Sequence, residues 1–422
     1  MRFCAAAGIL LLLSSPGRAQ DKDKHASPAE PRVVTVPAVV DHNRVIVEAD
    51  IALPNGSTQR VHAWIDSGNP RLYMSSRVVK LIGSGISCDG QECAAQPPHE
   101  ITIGGMKISL APINEAWVYL HYGREAMIAR GLPAEISIPS TILRNYDVLI
   151  DFPGHKLTIG EPGTIHFLGM SSKVQIAPEN GLIQVPAQIE NKKYNLALDL
   201  GSCISFLSQE LFDKLAAAHA DWQHMTGAVG SANMWGLDDE TKWRVTRVDR
   251  MQYGPLFLTD VAVVALPATF IDFLEKPTGI SNVGLLGSQA LQNYRVGIDY
   301  AHSTVYFDIG RLYNFPDFDV IGVILRPEDD GRFKILGVAD FDGKPSVPQG
   351  PEGVQPGDHL IAVDDIPVQG VTMGQVWSML GGTPGQTRKL TIEHDGKQFV
   401  VAAIVRHFLA EPPDDSDTKK KK

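Results

Sequence analysis

Val61-His62-Ala63-Trp64-Ile65-Asp66-Ser67-Gly68 is an apolar run that ends on an acid, followed at once by a hydroxyl and a glycine. Before it lies Ile46 to Leu53, then Asn55-Gly56. Extended, β-branched residues around an Asn-Gly turn predict a β-hairpin. The pattern returns. Leu182 to Ile189 reads as a strand and Glu190-Asn191-Lys192 as a turn. Tyr194 to Leu198 reads as a second strand, which runs into Asp199-Leu200-Gly201-Ser202. Each hairpin thus delivers one aspartate to a strand end beside a glycine.

A second repeat supports the first. Leu143-Arg144-Asn145-Tyr146-Asp147-Val148-Leu149-Ile150-Asp151 aligns without gaps on Leu291-Gln292-Asn293-Tyr294-Arg295-Val296-Gly297-Ile298-Asp299. The Leu, Asn, Tyr, Val, Ile and Asp positions are identical. The offset is 299 − 151 = 148 here and 199 − 66 = 133 between the two aspartates, so the second copy carries 15 more residues between its motifs. Two ordered motifs repeated at nearly one offset argue for internal duplication.

The order is hairpin, Asp-Ser/Thr-Gly, helix, then two hydrophobic residues and a glycine before a terminal strand. Met twice over about residues 35 to 310, it resembles the retropepsin/pepsin-like aspartic proteases. The second copy supplies Leu285-Leu286-Gly287 before the Tyr294 strand. The resemblance implies a mainly β fold, a duplicated, two-lobed aspartic-protease-like β-barrel with lobe 1 at 35–170 and lobe 2 at 171–312. It implies a catalytic pair, Asp66 and Asp199, with Ser67, Gly68, Gly201 and Ser202 in the supporting loops. In the family the residue after each aspartate is Thr or Ser, whose hydroxyl bonds across to the other loop. Ser67 fits, but Leu200 stands where the second hydroxyl is expected, and Ser202 is two positions away. In the first copy the hydrophobic-hydrophobic-Gly element is blurred to Ile136-Ser137-Ile138-Pro139, where proline lacks an N–H. A flap hairpin is expected at Gly227-Ala228-Val229-Gly230-Ser231, with Gly227 and Gly230 as its glycines.

The residues themselves carry the chemistry. Hydrolysing an amide needs an activated water and a proton for the leaving nitrogen. Two carboxylates a few Å apart cannot both ionise easily, so they share one proton. One then serves as base toward a water between them and the other as acid. Gly68 and Gly201 let the two loops approach closely.

After Ile309 the texture changes. Gly353-Val354-Gln355-Pro356-Gly357-Asp358-His359-Leu360-Ile361-Ala362-Val363-Asp364-Asp365-Ile366-Pro367-Val368 closely resembles the bacterial PDZ pattern. Met373 to Leu380 suits its helix, and Arg388 to His394 with Gln398 to Val405 a closing hairpin. This resemblance places a PDZ domain at 316–408. Such domains bind peptide C-termini by adding a strand to a sheet edge. Gly322, Val323 and Ile324 are the expected docking backbone.

The ends read differently. Arg2, the apolar run Phe3 to Leu13 and the small residues Gly17 and Ala19 predict a signal peptide at 1–19, too short to span a membrane. Residues 20–34 read as a disordered linker and 409–422 as a disordered tail. An exported chain, periplasmic or secreted, follows. Cys88 and Cys93, in Cys-Asp-Gly-Gln-Glu-Cys, are then expected as a disulfide. Cys203 is expected as a buried small apolar residue rather than a nucleophile. The net charge of −10 becomes −12 without Arg2 and Arg18, which disfavours nucleic acid. No membrane span is expected in the mature chain, and no metal or cofactor. His-Glu-x-x-His, P-loop and nucleophile-elbow patterns are absent from the sequence. The expected function is therefore an exported aspartic endopeptidase acting on peptide or protein substrates, with PDZ recruitment. The alternative is a non-catalytic peptide-binding scaffold on a degenerate copy of the same fold.

Overall fold

Period-2 alternation makes the first hairpin. Val45, Val47, Ala49 and Ile51 of strand Arg44–Ala52 face the core with Val61, Ala63 and Ile65 of strand Thr58–Asp66. The two strands pair in register, Ile46 opposite Trp64, and Gly56 closes the turn at φ 81°. The second hairpin pairs Ile183–Ile189 with Lys192–Asp199. Glu190 and Asn191 both take positive φ, 47° and 63°, as a two-residue turn matched to strand twist requires. The computed structural model describes residues 32–89, 92–119, 133–219, 222–266, 281–311, 318–341, 343–350 and 353–409. The expected signal peptide, most of the linker and the tail beyond Leu409 lie outside them. Strand Val33–Pro37 pairs with Lys156–Gly160, so Val33 and Val34, within the stretch read as linker, belong to a sheet.

The chain is mainly β and built from several sheets. Its two halves repeat the same strand arrangement around the two aspartates. Ile136–Pro139 runs parallel to the first hairpin's second strand, with Pro139 opposite Asp66. Gly284–Gly287 does the same in the second half, with Gly287 opposite Asp199. Helices Ser76–Leu81 and Gln209–Ala218 follow at equivalent places. Their N-caps are Ser75 and Ser208, whose hydroxyls accept from the N–H of Val78 and Leu211. The caps are separated by the same 133 residues as the two aspartates.

The halves join in one sheet of six strands. Its central pair is Asp147–Asp151 against Tyr294–Asp299, antiparallel. Leu149 lies opposite Gly297, its own repeat counterpart, so a local two-fold axis passes between them. Val148, Ile150, Val296 and Ile298 are buried there.

The C-terminal part forms a further sheet of Val323–Pro327, Phe333–Val338, His359–Val363, Thr387–His394 and Lys397–Ile404. Its helix, Met373–Leu380, opens on a capping box made by Thr372 and Gln375. This part is not separately packed. Met225 and Thr226 pair with Phe341 and Asp340, extending the second half's sheet. One apolar core runs from Phe206, Trp235 and Trp243 into Val323, Ile324 and Leu325.

Candidate active site

The turns after the two hairpins meet. Asp66 is 2% exposed and Asp199 is half-buried. A Cβ added to Gly68 would lie 2.0 Å from Asp199 Cγ, and one on Gly201 would lie 2.3 Å from Asp66 Oδ1. Each carboxyl group therefore occupies the space above the other loop's glycine. Any larger side chain there would displace a carboxyl or open the loops. Gly68→Ala is accordingly expected to cost about 1–3 kcal/mol by overpacking. An unchanged urea midpoint would contradict it.

Backbone N–H groups orient both acids. Gly201 and Ser202 donate to Asp199 Oδ1, each at 2.9 Å. Gly68 and Asn69 donate to Asp66 in the same way. Ser67 Oγ donates to Leu198 O and accepts from Leu200 N, both at 3.0 Å, so half of the hydroxyl cross-link is made. The other half is absent. Leu200 is fully buried in apolar surroundings, and its carbonyl instead accepts from Ser288 Oγ at 2.9 Å. Ser202 does not replace it, because its hydroxyl donates to Ile204 O within its own loop.

Proline in the first half has a structural explanation. Gly287 N donates to Ser205 Oγ at 3.1 Å. Pro139, its counterpart, has no N–H, and Leu72 stands where Ser205 stands in the second half. Donor and acceptor are lost together, which leaves no unpaired group.

Burial pushes both carboxyl groups above the ordinary aspartate range. For Asp66 the charge of Asp199 pushes the same way, while Arg44 and the N–H groups of Gly68 and Asn69 oppose. For Asp199 the opposing groups are the N–H of Gly201 and Ser202, then Arg44. Sequence reasoning missed Arg44. It is fully buried, its Nε donates to Gly201 O at 2.9 Å, and its guanidinium lies 5.4 Å from the Trp64 ring centroid. A charged residue at a strand start gives no signal of its own, since its partners are far along the chain.

Asn233 and Glu240 were missed for the same reason. Asn233 Nδ2 donates to Leu325 O and its Oδ1 accepts from Leu325 N, both at 3.0 Å. Glu240 is fully buried and accepts from Asn233 Nδ2 and, at 2.8 Å, from Trp235 N. Burial lifts its carboxyl to about 7 against these bonds. The folded state therefore binds a proton that the unfolded state releases near 4.5. Its contribution to stability is present below that pH and is lost as pH rises through about 7. Urea unfolding should show stability falling across this window, on the order of 2–3 kcal/mol from this group. A slope that is identical in Glu240→Gln would assign the effect elsewhere.

Two expectations are corrected. Gly227 and Gly230 do not form an exposed flap. Gly227 takes φ 99° against Ile324 and Ala339, and Ala228 to Ala232 are buried. This Gly-Ala-Val-Gly stretch is apolar enough to be covered by the C-terminal sheet. Val323–Pro327, which begins just after Gly322 and carries Val323 and Ile324, is the outermost strand of its sheet, but its open side is already engaged by Asn233 at Leu325. Gly322 O accepts from Ala339 N and Ser346 Oγ, Val323 N donates to Ile321 O, and both side chains are buried. Asn233 closes the edge at Leu325. The remaining cysteines are plain. Cys88 and Cys93 are joined by a disulfide. Cys203 is fully buried, and burial pushes its thiol to about 12.

No protein-family model matches this chain, and no curated protein matches it in sequence. Among solved structures it is similar to the crystal structure of aspartic proteinase from Irpex lacteus. The TM-score is 0.40 and the identity 11%, over 66% of this chain and 97% of that chain.

Proposed function

We propose that the chain is an exported aspartic endopeptidase that hydrolyses peptide bonds through Asp66, Asp199 and a water between them. One observation carries this reading. Two acids from repeat-related strand ends, Asp66 buried and Asp199 half-buried, each sit over the glycine of the other's loop. Both carboxyl groups are pushed up and two like charges this close resist double ionisation, so the pair loses its protons in separate steps and holds one proton between those steps. The ionised member takes a proton from the water, which attacks the carbonyl carbon. The protonated member polarises the carbonyl oxygen, and the pair then passes a proton to the leaving nitrogen. Ser67, Gly68 and Gly201 hold the loops at that spacing.

In the same reading residues 316–408 are a PDZ domain, and peptide recruitment there requires displacing Asn233 from Leu325. The Cys88–Cys93 disulfide and the apolar run from Phe3 to Leu13 support export. The scaffold alternative has Leu200 in its favour, since the loop cross-link is only half made. Purified chain lacking residues 1–19 should hydrolyse denatured casein in assays run at acid and at neutral pH, and Asp66→Ala should not. Equal turnover in the two proteins would reject the reading.

A further inference from the structure

A guanidinium buried beside two acids needs an account of its charge. Arg44 opens strand Arg44–Ala52, directly after the turn of His42 and Asn43, which take φ 48° and 63°. The turn is wedged into the second half. His42 Nε2 meets Asn233 O at 2.9 Å, and Asn43 Nδ2 donates to Cys203 O at 3.1 Å. Arg44 is carried with it to full burial. Nε is bound to Gly201 O at 2.9 Å and Nη1 to Met234 O at 3.3 Å. Among the described residues Nη2 has no hydrogen-bond partner. Two neutral carbonyls do not neutralise a buried cation, which costs far more than a buried dipole unless opposite charge lies nearby.

The position answers this. Gly201, which Arg44 holds, is the residue whose Cβ would strike Asp66 Oδ1 at 2.3 Å and the Trp64 ring at 3.0 Å. Gly201 also donates its N–H to Asp199. The guanidinium is thus one residue away from both carboxyl groups.

We infer that Arg44 is a positioning residue whose positive charge sets the protonation state of the Asp66–Asp199 pair and whose hydrogen bonds fix the Gly201 loop. This rests on the reading of that pair as catalytic. The other groups facing Arg44 are Asp41, His42 and Cys203. His42 is held near 3 by burial and by Arg44, and Cys203 near 12, so both are neutral in the working range. Tyr253 faces Asp199 and Tyr300 faces Asp66, both pushed up by burial and so uncharged. Asp41 is the competing counter-ion. It is bound by the Thr372 hydroxyl and the Gly374 N–H of the C-terminal helix, and burial raises it. Each proton lost by the pair places negative charge beside Arg44, so the cation favours both ionisation steps. Removing it raises both.

Arg44→Gln keeps amide donors for the two carbonyls and loses the charge; Arg44→Lys keeps the charge. In Arg44→Gln both limbs of the kcat/KM pH profile should move up together by about 1 pH unit. In Arg44→Lys they should stay near the wild-type position. A lower profile with unmoved limbs would mean a purely structural role and overturn the inference. A readout without turnover separates the two readings. In protein labelled with 13C at the aspartate carboxyls, Asp66→Asn and Asp199→Asn assign the two signals. Their titration should move up in Arg44→Gln by the same amount, and Asp41→Asn should not reproduce that shift. Signals that titrate as in wild type would overturn the inference. Moved signals in a protein without peptidase activity would leave the charge effect standing and remove the proposed function.

Discussion

Replacing either Asp66 or Asp199 by Asn is expected to lower kcat/KM on an unfolded protein substrate by ~10³-fold. Each acid does half of one task, so the losses should be similar, and the double variant should be little worse than either single one. The fold should survive. Asn fills the same space and can accept the N–H groups that now bind Asp66 and Asp199. Stability at pH 7 should hold or rise. The charged form of each carboxyl is disfavoured in the folded state, so removing it removes a destabilising term. Below the ordinary aspartate value of 3.8 the gain should vanish, because both states are then protonated. Casein or peptide hydrolysis with urea unfolding at two pH values checks both parts. Activity within tenfold of wild type in both single variants would remove the pair from the chemistry.

Asn233→Ala should produce the largest stability loss of any single polar truncation considered, about 3 kcal/mol or more. The side chain satisfies Leu325 N, Leu325 O and Glu240 Oε2 in fully buried surroundings. Alanine leaves two backbone groups and a carboxyl without it. The free energy comes from a urea titration, and a change below about 1 kcal/mol would mean that water reaches the site. The same substitution opens the sheet edge at Leu325. If residues 316–408 bind peptides as the PDZ reading holds, peptide affinity measured by titration calorimetry should rise in this variant. Unchanged absence of binding would leave the C-terminal sheet as a packing element of the second half.

Much of this was written locally. Both hairpins follow from alternating side chains and from Asn-Gly or Glu-Asn turns, because a period of two and a left-handed turn are properties of neighbours in the chain. The helix Met373–Leu380 follows from its apolar spacing and from Thr372 and Gln375 at its start. The duplication was legible because two ordered motifs recur with one difference in spacing. The meeting of Asp66 and Asp199 was legible only through that duplication and the resemblance it supports, since nothing between residues 66 and 199 states a distance.

Only the tertiary structure decided where charge is buried. Arg44, Asn233 and Glu240 are ordinary polar residues in sequence. Arg44 meets Gly201 across 157 positions, and Asn233 meets Leu325 across 92. Local pattern cannot report such pairs, because desolvation depends on what packs from elsewhere. The same holds for Gly227 to Ser231. Its glycines suit a flap or a buried turn equally well, and the apolar face of Val323, Ile324 and Leu325 chose the turn. The sequence by itself determined two strand ends that each present an aspartate beside a glycine. Packing determined that Arg44 stands against the Gly201 loop beside them, because burying the His42–Asn43 turn against the second half carries the guanidinium out of water.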